Sequence, residues 1–199
     1  MKKIPTLFVR KFENHRIVDI TDEITPGCEE AFKYGNATVK IDGSCCYYKD
    51  GVWYKRYDAK KGKKVPEGAI PCCDPDPITG HWPHWVKIDF DNPADKWFVA
   101  AIANHLYEPI DDCTYEAVGP HFQGNPMDYK LDVMVRHGRI LAHVRRDFEG
   151  VKQWLENNEE EGLVFWDANE DGTKMVPVCK IKRSDFGLPW PVKRKEKRK

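Results

Sequence analysis

Long apolar runs, CxxC pairs, net charge and internal repeats are all missing from this sequence. No stretch approaches the ~20 apolar residues that a bilayer-spanning helix needs, and no signal peptide is recognisable, so a soluble, cytoplasmic protein with no membrane partner is expected. Lysine plus arginine equal aspartate plus glutamate at 32 each, and the bulk charge therefore names no partner. The seven cysteines are odd in number, and two pairs of them are adjacent (45–46 and 72–73). Neighbouring cysteines rarely bridge, so the set is expected to be reduced. Cys72, Cys73, His81 and His84 follow none of the usual zinc spacings.

What is present is unevenly placed. The last nine residues, PVKRKEKRK, hold six basic residues and one acidic one. They read as a flexible basic tail over 191–199, with RNA phosphates as its natural contact, behind a single domain over 1–190. That domain is long enough to bury a sizeable core. Residues 36–49 and 52–58 read as a hairpin turning at Asp50-Gly51. A mobile basic loop with Lys60, Lys61, Lys63 and Lys64 follows. The stretch PCCDPDPITGHWPHW (71–85) is too rich in proline for a helix or a central strand. Trp82, Trp85 and two histidines there either stack on RNA bases or fold over one another. Asn92-Pro93 opens a helix with Trp97, Ala101 and Leu106 as its apolar stripe. Strands are predicted over 112–118, 131–137, 139–145, 161–167 and 173–183. Gly138 and Asn169–Gly172 form turns, and a helix over 147–157 is capped by Asp147. Largely antiparallel strands with a few inserted helices make an α+β domain.

Charged residues recur inside these strands. Lys40 lies within NATVKIDGSC, where Thr38, Val39 and Ile41 are strand formers and Cys45 to Tyr48 prolong the apolar run. Burying an amine there costs several kcal/mol unless another group answers it. Side chains two apart share a face, so Thr38, Lys40 and Asp42 point one way while Val39 and Ile41 enter a core. Lys180 and Lys182 repeat the device against Cys179 and Ile181. Glu116, Glu161 and Arg56 occupy similar strand settings.

In order, these blocks are KIDG (40–43), Arg56 on the next strand, YEAVG (115–119), EGLVF (161–165) and KIK (180–182). The series resembles motifs I, Ia, III, IV and V of the covalent nucleotidyltransferase superfamily, which contains ATP-dependent DNA and RNA ligases and mRNA capping enzymes. GPHFQGNP (119–126), PDPITGHWP (75–83) and KIKRSDFGLPWP (180–191) resemble the small stand-alone 5′-to-3′ RNA ligases related to the vertebrate RNA ligase. The implied fold is an α+β nucleotidyltransferase (ATP-grasp-like) ligase domain of antiparallel sheets with flanking helices and no C-terminal OB domain. The short span after KIK favours an RNA ligase over the DNA ligases and capping enzymes, which carry that extra domain.

The resemblance implies that Lys40 attacks the α-phosphorus of ATP and carries AMP as a lysyl-adenylate. AMP then passes to the 5′-phosphate of an RNA end, and a 3′-hydroxyl displaces it. A nucleophilic lysine must lose its proton, and a cation ~4 Å away at an effective dielectric of ~20 opposes the charged form by roughly 4 kcal/mol. Lys180, Lys182 or a bound Mg²⁺ would supply that cation if the final strand lies beside Lys40, and the resemblance gives the two lysines the α-phosphate. It gives Glu161 the metal ion, Mg²⁺ (or Mn²⁺), or the orientation of the lysines, and Glu116 the ribose hydroxyls. Arg56 would contact phosphate or sugar, with Lys55 as the alternative at this position. Glu161 is preferred to Glu160 because it directly precedes the glycine. Asp42 would order the adenylate pocket and Gly43 permit close backbone approach. Phe122 is the candidate for stacking adenine, with core packing as its other role. Arg145 and Arg146 join the lysines of the basic loop as candidate phosphate contacts. No protein partner is evident. Two other readings are a DNA-joining or GMP-transferring relative and a non-catalytic RNA-binding module. Several buried charges without a ligand would only destabilise the latter.

Overall fold

Strands dominate the chain. A computed structural model describes residues 3–14, 16–60, 62, 64–77, 79–105, 108–169 and 172–192. In order, the chain forms β1 (Phe8–Glu13), β2 (Arg16–Ile24), α1 (Glu29–Tyr34), β3 (Asn36–Lys40), β4 (Ser44–Lys49) and β5 (Val52–Ala59). Next come β6 (Ile70–Pro71), β7 (Trp82–Lys87), α2 (Lys96–Ala103), β8 (Cys113–Val118) and β9 (Val133–Arg136). The last elements are α3 (Phe148–Asn157), β10 (Gly162–Ala168) and β11 (Met175–Lys182). All strand pairs named below are antiparallel. The architecture is α+β, as the sequence suggests. Among the described residues, no helix is long and apolar enough to cross a membrane.

The span 1–190, read as one domain, carries two compact units. The first, here the Lys40 unit, comprises Ile4–Ile41 and Gly138–Lys199. It holds a three-stranded sheet in the order β11-β10-β3 and the β1-β2 hairpin. Alternation along the sheet turns Ala37, Leu163, Phe165, Cys179 and Ile181 into one core. Val151 and Leu155, four residues apart on α3, and Phe32 of α1 complete it. The Phe32 ring meets Phe165 edge-on at 5.3 Å. Each such side chain contributes roughly 1.5–3 kcal/mol by leaving water. Asp147 caps α3 as expected, accepting from the Gly150 N–H at 2.7 Å.

The second, the Glu116 unit, comprises Met1–Lys3 and Asp42–His137. Its six-stranded sheet runs β6-β7-β5-β4-β8-β9. One face, with Cys46, Trp53, Tyr115, Ala117 and Met134, packs against Ala101, Phe98 and Ile102 of α2. The period of two then assigns Cys45, Tyr47, Tyr54, Arg56, Thr114 and Glu116 to the other face. The β4-β5 hairpin turns at Asp50-Gly51 with φ of 48° and 78°, the two positive values that such a tight turn requires. Asn92 caps a 3-10 turn over Pro93–Asp95 that leads into α2.

Several expected elements differ. Residues 36–49 are two strands in two sheets, because the pleat stops at Lys40 and β4 begins only at Ser44. Asp42 therefore lies beyond the alternation that was to place it beside Lys40. Thr38, expected outward, is only 1% exposed and accepts from the Trp166 indole N–H at 2.8 Å. The strand predicted over 139–145 shrinks to a bridge between Leu141 and Thr38, flanked by hydrogen bonds from Val39 N to Ile140 O and Ala142 N to Ala37 O. Part of 71–85 is a strand after all. β7 lies between β6 and β5, and Pro83, lacking an N–H, still uses its carbonyl to accept from Cys72 N at 2.9 Å. Trp97 is 38% exposed and stacks on His121 at 3.3 Å instead of facing the core. Leu106, Lys61, Lys63, two residues of the 169–172 turn and 193–199 of the basic tail lie outside the described residues.

Candidate functional site

The three-stranded sheet brings Lys40, Glu161 and Lys182 together. Gly162 lies directly opposite Lys40 on one side and Lys182 on the other. Glu161, one residue before, thus sits between the ends of β3 and β11. Its Oε2 accepts from Lys40 Nζ, and its Oε1 lies 3.8 Å from Lys182 Nζ. Lys180 shares the face of Lys182, two residues along β11, while Cys179 and Ile181 are buried on the other, as expected. Three lysines against one carboxylate leave this face cationic. The group nearest Lys40 is a carboxylate, not the cation that the sequence pointed to. Glu161 is the only one of these four groups with hard oxygen donors, and both its oxygens already face lysines. Such a set would hold a divalent ion only with most of its shell supplied by other oxygen ligands.

Backbone contacts fix this cluster. A Cβ on Gly162 would come within 2.1 Å of the Ile181 carbonyl oxygen, so only glycine lets the strands close here. The next residues of KIKRSDF do the rest. Asp185 accepts from Lys182 N at 2.8 Å and is itself held by Arg10. Arg183 is buried. It donates to the carbonyls of Leu155, Asn158 and Pro189, and its N–H reaches Glu161 O at 2.9 Å. The end of β11 is thereby tied to the end of α3 and to Glu161. Arg183 and Asp185 lie in the KIKRSDF stretch but were not singled out as site residues, and Arg10, far away in the chain, had no signal in the sequence.

In the other unit, Glu116 organises a second cluster. Its Oε1 accepts from Gly43 N at 3.0 Å, and its Oε2 lies 2.8 Å from His137 Nε2. The far ring nitrogen of His137 meets Thr114 Oγ1 at 2.9 Å. A Cβ on Gly43 would come within 2.3 Å of Ala117 O, so the close approach that Gly43 permits is to β8. Cys45 stands directly across from Glu116. Burial, reinforced by the Glu116 carboxylate, pushes its thiol up from the ordinary range. Neither His137 nor Cys45 was singled out from sequence.

The remaining candidates divide. Arg56 is half-buried on the Glu116 face and bonds Asp58 at 2.8 Å. Lys55 points the other way, pairing with buried Asp95 ahead of α2, and so has a structural job. Asp42 is half-buried. Phe122, proposed to stack adenine, is instead 4% exposed in the core under α2, 5.1 Å from Phe98, and has no open ring face for a base. Trp85 and His84 are buried within β7, and Trp85 stacks on Tyr47 at 5.3 Å. Arg145 bonds Asp147, and Arg146 donates to Gly35 O at 2.9 Å over the Phe165 ring. Lys60 and Lys64 are exposed. The seven cysteines are free. Compared with models of known families and with curated proteins, the chain matches none.

Proposed function

We propose that the protein is an ATP-dependent RNA ligase of the nucleotidyltransferase type, with Lys40 as its nucleophile. The supporting observation is the convergence of Lys40, Glu161 and Lys182 across β3, β10 and β11. The two lysines are more than a hundred positions apart in the chain, yet both address one carboxylate.

In this reading, a triphosphate entering the cationic face competes with Glu161 for the ammonium groups. Lys182 and Lys180 take the α-phosphate oxygens and offset the charge that builds on them. Glu161, in contact with Lys40 Nζ, accepts a proton from its ammonium group. It is also the residue that would hold a Mg²⁺ ion, which would supply further charge neutralisation when bound. The neutral Lys40 amine forms a bond to the α-phosphorus as the bond to pyrophosphate breaks, and its second proton leaves with pyrophosphate. The AMP group then moves to an RNA 5′-phosphate oxygen, restoring the amine. A 3′-hydroxyl attacks the activated end and AMP departs. In the Glu116 unit, Glu116 would accept from ribose hydroxyls and Arg56 would contact phosphate or sugar. Asp42 would order the segment after Lys40. Phe122 has no part in it.

The experiment is covalent labelling with ATP carrying a labelled α-phosphate, beside GTP, followed by a chase with RNA bearing 5′-phosphate and 3′-hydroxyl ends. The protein should take label from ATP alone and release it to RNA. Label from GTP would indicate a capping-type transferase, and a chase satisfied only by nicked DNA would indicate a DNA ligase. Salt-sensitive RNA binding with no label from either nucleotide would leave a binding module.

A further inference from the structure

A second chemistry is available at Cys45, Glu116 and His137. The three come from β4, β8 and the residue after β9, and their Sγ, carboxylate oxygen and ring nitrogen all lie within 4.8 Å of one another. Among the described residues this is the one group of three such side chains within that reach. The sequence candidates Cys72, Cys73, His81 and His84 do not form one. His84 Nδ1 is engaged by Trp82 O, and His81 lies against Asp58.

The cluster has the outer contacts that metal ligands need. A histidine ligand is oriented by a partner on its other nitrogen, and a carboxylate ligand by a bond to its other oxygen. His137 Nδ1 is held by Thr114 Oγ1, which leaves Nε2 facing the cluster. Glu116 Oε1 is held by the Gly43 N–H, which leaves Oε2 facing it. Cys45 is set opposite Glu116 by strand register, so its Cβ cannot drift. All of these groups lie in, or directly next to, strands of one sheet. Two ligands at ~2.0 Å from a tetrahedral ion lie about 3.3 Å apart, so closing this set needs side-chain shifts of an ångström or so and none of the backbone.

We propose that Cys45, Glu116 and His137 form a three-ligand site for a borderline-soft divalent cation of the Zn²⁺ class, with the fourth position left to water or a ligand. A thiolate beside an imidazole selects such an ion over Mg²⁺ or Ca²⁺, which favour oxygen. Three protein ligands and one open position are the arrangement of exchangeable or reactive sites, not of closed structural ones. The site does not depend on the ligase reading. If both hold, the ion consumes the Glu116 oxygen otherwise given to ribose, and zinc opposes nucleotide binding.

The test is metal binding, read without any activity. The full-length reduced protein is titrated with Co²⁺ to look for thiolate-to-cobalt charge transfer, and its Zn²⁺ affinity is measured by competition with a chromophoric chelator. The wild type should bind one ion with a charge-transfer band that disappears in Cys45→Ser and persists in a Cys72→Ser/Cys73→Ser double variant. His137→Ala and Glu116→Gln should each weaken Zn²⁺ binding by at least about tenfold, and Thr114→Val by about tenfold through the outer contact. Circular dichroism of each variant separates lost ligands from lost fold. The absence of a thiolate band in the wild type overturns the assignment without recourse to any variant. A band that survives Cys45→Ser, or one abolished by the Cys72/Cys73 pair, overturns it equally.

Discussion

Glu161 and Glu116 are buried to nearly the same degree, 7% and 8% exposed, but their oxygens face different partners. Glu161 is answered by charge, from Lys40 and Lys182. Glu116 is answered by hydrogen bonds, from a backbone N–H of Gly43 and the ring of His137. Both glutamates satisfy the rule that a buried carboxylate needs partners. The first arrangement is open to competition from another anion, as the proposed reaction requires of a phosphate. The second keeps its backbone donor whatever binds, and so suits a fixed acceptor or a metal ligand. Glu161 is held by charges alone among these contacts, while Glu116 is also anchored to the backbone.

The contrast can be broken at its strongest point by removing a cation. Lys182→Ala is expected to lower the rate of AMP labelling by about 10²–10³-fold, the range for losing one donor to developing charge, with little change in melting temperature. Unaltered labelling would leave β11 out of the chemistry. Next in size are the two glycines that let each carboxylate sit where it does. Gly162→Ala and Gly43→Ala place a Cβ against backbone oxygens at 2.1 and 2.3 Å, and each is expected to cost about 3 kcal/mol in denaturant unfolding. Equal stability to wild type would mean that the strands separate easily at these points. His137→Ala should cost less, about 1–2 kcal/mol, because one Glu116 oxygen loses its partner while the other retains Gly43.

The smallest effect concerns pH. Asp147 is held below the usual carboxylate range by its hydrogen bond to Arg145 and by the Gly150 N–H. A depressed folded value stabilises the protein above the unfolded value near 3.8, and the benefit disappears as pH falls through the folded one. Asp147→Asn should therefore lower the melting temperature slightly at neutral pH, flatten its fall below about pH 4, and leave it nearly unchanged once the carboxyl is protonated. A change as large at pH 2 as at pH 7 would contradict this origin.

Much of the site was legible because charge inside a strand is conspicuous. Lys180 and Lys182 alternate with buried Cys179 and Ile181, and that pattern alone gave the face they share. The Asp50-Gly51 turn and the Asn92 and Asp147 caps were equally local, and the structure has all three. Failures arose where partners are distant. Alternation runs on through Ile41 and cannot tell that residues 36–40 pair with β10, some 126 positions away at Thr38 and Val164, while β4 joins another sheet. Ile140, Ala142 and Val144 alternate like a strand, but Ala142 and Val144 use that pattern to pack on the core while only Leu141 makes a bridge. His137 escaped notice because a single histidine at a strand end has no spacing to mark it. Phe122 looked available only because no local pattern reveals that α2 covers it. A charge inside a strand leaves a trace in sequence, and the distant partner that answers it leaves almost none.

The most direct test of the central claim is to locate the AMP. Protein incubated with ATP and Mg²⁺ would be digested and mapped by mass spectrometry, alongside untreated protein to reveal any AMP already carried, and alongside Lys40→Ala. The expected result is a single AMP on the peptide containing Lys40, removed by pyrophosphate and absent from the variant. AMP on another lysine, or no AMP on treated and untreated protein alike, would contradict the assignment of Lys40 as nucleophile.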